Sequence, residues 1–140
     1  MEKEFVPYDR ALRLKALGFD EPCFGFHYIN PLNNSYTELK YGMSIFKKTS
    51  IEIKKGHVLA PTFSQAFRWF REKYVLLGFI EPANGYEDKS LFAFYICDDE
   101  QNIVDDSHSY SKDSSLHFKI YEEAELACLD KLIEYCQKLK

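Results

Sequence analysis

Apolar residues recur at helical spacing in three segments of the chain, residues 8–17, 62–75 and 121–139. Gly18 follows the first segment and suits the left-handed position that often ends a helix. Thr62, with a glutamine three residues later, forms the pattern of a capping box at the start of the second segment. The third segment has glutamates in its first turns and lysines at its end, which complement the helix dipole. We therefore predict three helices.

Short runs rich in Phe, Tyr and Ile lie between the predicted helices and indicate strands. They span residues 23–29, 38–46, 50–54, 76–80, 91–97, 103–104 and 116–120. Residues 98–102 are acidic and polar, and they predict a hairpin turn. Runs of strands between isolated helices are typical of antiparallel sheets. We predict an α+β fold in which three helices pack on one face of a mostly antiparallel sheet of about four to six strands.

The length and composition predict one domain with a large core. The chain has 140 residues, of which 46% are hydrophobic and 16% are aromatic. A domain of this size buries roughly two-thirds of the surface that its unfolded chain exposes, so it needs no disulfide or metal. We therefore expect residues 1–140 to form a single α+β domain. Its core is predicted to contain Phe63, Phe67, Phe70, Leu129, Leu132 and Ile133.

Charge is unevenly distributed along the chain, although the formal net charge is only -4. Residues 40–74 contain eight Lys and Arg against two acids, whereas residues 81–113 contain nine acids against two lysines. We expect a basic side and an acidic side. The negative total argues against a dedicated nucleic-acid binder, so nucleic-acid binding through Lys40–Lys73 is the weakest of three functional hypotheses.

The four cysteines and the start of the chain bear on its compartment. No two cysteines form a C-x-x-C pair and no histidines form an H-E-x-x-H pattern, so we predict no metal site and no cofactor. The N-terminal residues are charged, and no apolar run approaches the length that spans a membrane. We therefore expect a cytoplasmic protein with reduced thiols and no membrane partner.

The second helix presents a candidate partner-binding group. Trp69 lies roughly 60° from the apolar stripe of this helix, next to Arg68 and Lys73. Tryptophan and arginine are enriched among the residues that dominate binding energy at protein interfaces. Trp69 with Arg68 and Lys73 is therefore either an anchor for a partner or packing at the edge of the core.

Two charged residues fall inside the apolar stripes of their helices, Lys15 in the first helix and Glu125 in the third. Either they form a desolvated ion pair between packed helices, or Lys15 extends its ammonium to water and Glu125 emerges at the start of its helix. With Cys23 and His27 they are candidates for a site assembled in three dimensions, including a Cys–His nucleophilic pair. No catalytic motif is present, so no residue is assigned a catalytic role and enzymatic activity stays an open question.

Three segments of the chain carry a resemblance to known proteins. They are FVPY (Phe5–Tyr8) followed by LGFDEPC (Leu17–Cys23), APTFSQAFRWFREKY (Ala60–Tyr74) and YEEAELACL (Tyr121–Leu129). These segments resemble small proteins of bacteriophages and of prophage regions in gut bacteria, a group without an established activity. The resemblance implies a genomic setting, and it transfers no functional residue.

Two main functional hypotheses follow. The first is a phage or mobile-element accessory protein that acts by protein–protein binding, with a host protein, a phage protein or a second copy of the chain as its partner. The second is a small ligand-binding domain or enzyme with a site assembled around Glu125, Lys15, Cys23 and His27. A deep pocket lined by those four groups favours the second hypothesis, and a flat aromatic patch around Trp69 favours the first.

Overall fold

The computed structural model describes residues 1–30, 32, 37–42, 53, 56–83, 91–107 and 117–139. The chain divides into two compact units, residues 1–66 and residues 67–140. The described residues form three α-helices and two three-stranded antiparallel sheets. The predicted α+β fold with antiparallel strands is therefore confirmed, but two sheets take the place of the single sheet that we expected. That the whole chain is one domain stays a prediction.

The N-terminal unit combines one helix with a three-stranded sheet. Helix α1 spans Tyr8–Ala16, and the strands are β1 (Gly25–Ile29), β2 (Thr37–Tyr41) and β3 (Val58–Leu59). Strand β1 is central and pairs antiparallel with β2 on one side and with β3 on the other. Helix α1 packs against β3.

Helix α1 ends where the sequence predicted, at a left-handed glycine. Gly18 has φ +97° and donates its N–H to the carbonyl of Lys15 at 2.9 Å. The N–H of Phe19 donates to the carbonyl of Leu14 at 3.0 Å. These two bonds form the Schellman motif, which satisfies carbonyls at the end of the helix. Leu14 and Phe19 are both buried, so the same turn secures the apolar side of α1 in the core.

Helix α2 spans Phe63–Tyr74 and begins with one half of the predicted capping box. The hydroxyl oxygen of Thr62 accepts the N–H of Gln65 at 3.2 Å. The side-chain amide of Gln65 donates to the carbonyl of Pro22 at 2.9 Å instead of returning to Thr62. The glutamine therefore links the start of α2 to the segment before β1. Of the three phenylalanines predicted for the core on this helix, two are buried and Phe67 is half-buried.

The C-terminal unit places the third helix on one face of a second sheet. Strands β4 (Leu77–Pro82), β5 (Phe92–Cys97) and β6 (Ile103–Asp106) pair antiparallel in that order, and α3 spans Tyr121–Lys138. Helix α3 packs against β5 and β4. Six of its residues are fully enclosed, namely Ala124, Cys128, Leu129, Leu132, Ile133 and Cys136. The three core residues predicted on this helix are among them.

The turn between β5 and β6 forms as its acidic sequence predicted. Asp98 donates its N–H to the carbonyl of Asn102 at 3.0 Å. The Oδ1 atom of Asp98 accepts the N–H of Glu100 at 3.0 Å and that of Asn102 at 2.9 Å. Gln101 takes a left-handed conformation with φ +66°. One aspartate therefore organises the whole turn, because its side chain replaces backbone acceptors.

Other strand predictions differ from the structure. Strand β3 was not predicted, because two residues carry too little alternation to be recognised. Around the predicted strand at 116–120, residues 117–120 form no strand, and Phe118 makes a single bridge to Phe92. The predicted strand at 50–54 lies outside the described residues except at position 53, as does the 43–46 end of the 38–46 prediction.

Candidate functional site

The structure buries the indole of Trp69. Only 5% of the residue is exposed, and its ring contacts those of Phe70 and Tyr74 edge-on at 5.0 and 5.5 Å between centroids. The ammonium of Lys73 lies 5.1 Å from the centre of the Trp69 ring. Arg68 and Lys73 are exposed. The partner-binding role of these three residues stays a prediction, and the two cations carry the surface that a partner could reach.

Cys23 and His27 are both buried, and neither has the chemistry of a nucleophilic pair. Burial, followed by the nearby Glu21 carboxylate, raises the pKa of Cys23 to about 12, so the thiol stays protonated. A nucleophilic cysteine needs a lowered pKa. The Nε2–H of His27 donates to the carbonyl of Val6 at 2.9 Å, and burial lowers the pKa of the imidazole. The environments of Cys23 and His27 therefore give no support to a Cys–His nucleophilic pair, which stays a hypothesis, and His27 has the surroundings of a neutral structural residue.

Lys15 is exposed, so the predicted desolvated ion pair with Glu125 is wrong. The side chain of Lys15 borders a very small cavity beside Phe19 and His57 while its residue stays open to water. This is the behaviour of a lysine that extends its ammonium to solvent along an apolar surface. Glu125 is half-buried on α3. A charge that remains hydrated does not need a buried partner to offset desolvation.

The C-terminal sheet has an inner and an outer face. A Cβ atom added to Gly78 would lie 2.9 Å from the Sγ atom of Cys128 on α3, so Gly78 faces the helix. Because successive residues of a strand point to opposite faces, the neighbours of Gly78 face away from α3. We call this second surface the outer face. By pairing register it comprises Leu77, Phe79 and Glu81 of β4, Ala93, Tyr95 and Cys97 of β5, and Ile103 and Asp106 of β6.

The outer face forms a concave groove with a volume of about 570 Å³. Its centre is a cross-strand aromatic pair, Phe79 and Tyr95, with ring centroids 4.9 Å apart and ring planes 19° from parallel. Phe79 is 39% exposed and Ile103 is 59% exposed. Ala93, the cross-strand neighbour of Glu81, is fully buried in an apolar cluster with Ala83 and Leu91. Large apolar side chains therefore meet solvent in one continuous concave surface.

The described residues that line this groove carry charge of one sign. Carboxylates of Glu81, Asp98 and Asp106 line it, and no Lys, Arg or His is present among the described residues that form its wall. Glu81 lies on β4 and Asp106 on β6, which are the edge strands of this sheet, so acidic groups lie on both sides of the apolar centre. Concave surfaces lined by one sign of charge concentrate ligands of the opposite sign. The geometry therefore suits a cationic ligand with apolar surface.

Sequence reasoning did not find this groove, although β5 carries a signal for it. The strand reads Phe-Ala-Phe-Tyr-Ile-Cys and has no charged residue on either face. A strand of an antiparallel sheet that is covered on one face only alternates apolar and polar residues, whereas a strand covered on both faces is apolar throughout. The composition of β5 is thus typical of a sheet with two covered faces. The structure shows one of them covered by α3.

A second cleft, with a volume of about 470 Å³, lies between α3 and β6. Its walls carry both signs of charge, with Lys131 and Lys138 on α3 and Asp105 and Asp106 on β6. Lys131 already bonds to Glu134 of the same helix at 3.0 Å. This volume suits a small molecule. Because its charges are mixed, the cleft indicates no particular ligand.

Metal sites, membrane-spanning helices and known relatives were each sought as indications of function. The described residues contain no group of three His, Cys, Asp or Glu side chains that could hold a metal ion. None of the helices within the described ranges is long and apolar enough to cross a lipid bilayer. Comparisons with protein-family models, with curated proteins and with solved structures found no match.

Proposed function

We propose that the chain is a protein-binding module and that its outer face binds a cationic, apolar segment of a partner protein. The main support for this proposal is the C-terminal sheet, which has one covered and one open face. Its inner face is closed by α3, while its outer face leaves Phe79, Tyr95 and Ile103 in an open groove. Apolar surface that is rimmed by polar residues and exposed to solvent is a feature of protein–protein interaction sites.

Burial of the outer face supplies the affinity. Full burial of a Phe or Ile side chain contributes about 1.5–3 kcal/mol. Ile103 is 59% exposed and Phe79 is 39% exposed, so covering the two contributes roughly 2 kcal/mol in total. A partner that also covers the half-buried Leu77, Tyr95 and Cys97 gains more. The groove is therefore an anchor for a short segment, while further contacts would set the final affinity.

The carboxylates of the groove favour a partner segment with positive charge. Three of them face an apolar surface, which disfavours an acidic partner by repulsion and desolvation. A partner segment with a lysine or arginine beside an apolar residue can contact both the carboxylates and the apolar centre of the groove. Charges at the rim of an interface act mainly on the association rate, and their effect falls with ionic strength. We therefore expect association to slow as salt is added.

The resemblance to bacteriophage and prophage proteins completes the proposal. It supports an accessory role for the module in a phage or mobile element, with a host protein or a phage protein as the partner. The basic segment of such a partner would occupy the outer face. No catalytic step is part of this function.

A selection from a library of displayed random peptides tests the proposal without knowledge of the partner. We expect the wild-type chain to enrich peptides that combine Lys or Arg with large apolar residues. Ile103→Lys places a cation in the groove and should abolish the enrichment. Leu12→Lys makes the same exchange at an aliphatic residue of α1 that is 40% exposed, and it should leave the enrichment intact. Enrichment of acidic peptides, no enrichment at all, or equal loss in both variants would refute the proposal.

A further inference from the structure

The C-terminal sheet already shows what covers one of its faces. On the inner face, Gly78 and Ile80 of β4 and Phe94 and Ile96 of β5 pack beneath helix α3. The outer face of the same strands is also apolar, and it differs chiefly in the carboxylates at its margins. Sheets in layered folds bury an apolar face against helices or against a second sheet. The outer face is therefore suited to pack against either a helix or a second sheet.

The dimensions of the outer face fit one helix. Three strands at a spacing of about 4.8 Å give a width of roughly 10 Å, which is the diameter of an α-helix with its side chains. From Leu77 to Glu81 the face is five residues long and spans about 13 Å between the first and last Cα atoms, which corresponds to roughly two and a half helical turns. A partner strand would instead add to a free sheet edge through its backbone, and it would leave this face uncovered.

The charge pattern across the face also matches a helix. The apolar centre on β5 has Glu81 on one flanking strand and Asp106 on the other. An amphipathic helix has a continuous apolar stripe with polar residues on both sides of it. When those flanking residues are Lys or Arg, each side of the stripe meets a carboxylate. A segment with apolar residues at alternate positions would instead present a single row of apolar side chains about 7 Å apart.

We infer that the outer face of the C-terminal sheet binds an amphipathic α-helix of the partner protein, with basic residues on both sides of the helix's apolar stripe. This inference rests on the proposed function and specifies the form of its ligand. The helix lies over Tyr95 and Phe79, and its basic residues reach Glu81 on one side and Asp106 on the other. The complex then has three layers, in which the C-terminal sheet lies between α3 and the partner helix.

Synthetic peptides of about 14 residues, roughly four helical turns, separate the helix from other ligands. The first peptide contains Leu, Lys and Ala with leucines at helical spacing. The second has the same composition with leucines at alternate positions, and the third replaces each Lys of the first by Glu. Fluorescence anisotropy gives the three dissociation constants, and circular dichroism reports the helix content of each peptide when bound. The Ile103→Lys and Leu12→Lys proteins serve as the groove variant and its matched control.

We expect the helical basic peptide to bind at least about tenfold more tightly than its alternating isomer, a difference of about 1.4 kcal/mol, and to gain helix when bound. Ile103→Lys should lose this binding and Leu12→Lys should keep it. Equal or tighter binding of the alternating peptide overturns the helix while leaving the proposed function intact. Binding of the acidic peptide, or of none of the three, overturns both. A stable dimer of the chain in sedimentation, abolished by Ile103→Lys, would assign the outer face to a second copy and overturn the partner helix.

Discussion

Replacement of Gly78 by alanine tests how closely α3 packs on the inner face. The added Cβ would lie 2.8 and 3.0 Å from two ring carbons of Phe67 and 2.9 Å from the Sγ atom of Cys128. Favourable contacts between carbon atoms lie at about 3.5–4.0 Å. Phe67 is half-buried and its ring can shift, but Cys128 is fully enclosed on α3 and cannot move without the helix. The alanine methyl therefore overpacks this interface.

The expected change in stability follows from two opposing terms. Overpacking in a dense core costs about 1–3 kcal/mol. The lower backbone entropy of alanine in the unfolded chain returns roughly 0.4–1 kcal/mol. We therefore expect Gly78→Ala to lower the free energy of unfolding by about 1–2 kcal/mol, which corresponds to a fall in Tm of roughly 3–8 °C. Urea unfolding should show a lower midpoint with an unchanged slope.

A double-mutant cycle identifies the contact that is responsible. Cys128→Ala removes the sulfur atom that cannot move, so Gly78→Ala should cost less in that background, with a coupling of at least about 0.5 kcal/mol. Additive effects of the two substitutions would assign the cost to another contact. A Gly78→Ala protein as stable as the wild type would refute the close packing of β4 against α3.

Three further predictions concern single buried or exposed groups. Burial lowers the pKa of His27 from its ordinary 6.5, so this imidazole binds a proton more readily in the unfolded chain than in the folded one. The contribution of His27 to stability should therefore be complete above about pH 6.5 and should fall as the pH drops towards the lowered pKa. His27→Gln keeps a donor for Val6 without a titrating group, so urea unfolding between about pH 7 and pH 5 should vary less for it than for the wild type. The hydroxyl oxygen of Ser107 accepts the buried N–H of Phe94 at 2.9 Å. Ser107→Ala leaves this N–H without its acceptor and should lower the free energy of unfolding by about 1–3 kcal/mol. An unchanged urea midpoint would contradict the importance of this hydrogen bond. Cys97 is half-buried and the other three cysteines are buried, so mass spectrometry after brief alkylation of the native protein should find the label on Cys97, and rapid labelling of a buried cysteine would contradict the structure.

The helices could be predicted from sequence because their ends carry local chemistry. The left-handed Gly18 and the hydroxyl of Thr62 act through bonds within a few residues, so their effect is visible in the chain itself. The side chain of Gln65 was harder to place, since its acceptor, the carbonyl of Pro22, is 43 residues away in sequence. Local signals thus gave the boundaries of the helices and left the tertiary contacts open.

The division into two sheets and the outer groove depended on long-range pairing. Strand β3 has two residues and gains its partner only when β1 is in place. The apolar run of β5 indicated a strand, but both a covered and an open sheet face agree with that composition until the packing of α3 is known.

Trp69 shows the limit of helical periodicity in predicting exposure. Its angle from the apolar stripe suggested the edge of the core, but large rings cover a wide arc, and contacts with Phe70 and Tyr74 enclose the indole. Lys15 shows the converse case. It falls inside an apolar stripe and is nevertheless exposed, because a long side chain can carry its charge away from the surface that its stem covers.

The reactivity of Cys97 reports whether a basic helix covers the outer face, because this thiol lies there between the apolar and acidic residues of the groove. The measurement is the rate of Cys97 alkylation in the presence of the helical basic peptide or of its glutamate counterpart. We expect the basic peptide to slow alkylation in proportion to the fraction of protein bound, and the acidic peptide to leave the rate unchanged. An unchanged rate at peptide concentrations that saturate the anisotropy signal, or equal protection by both peptides, would contradict this expectation.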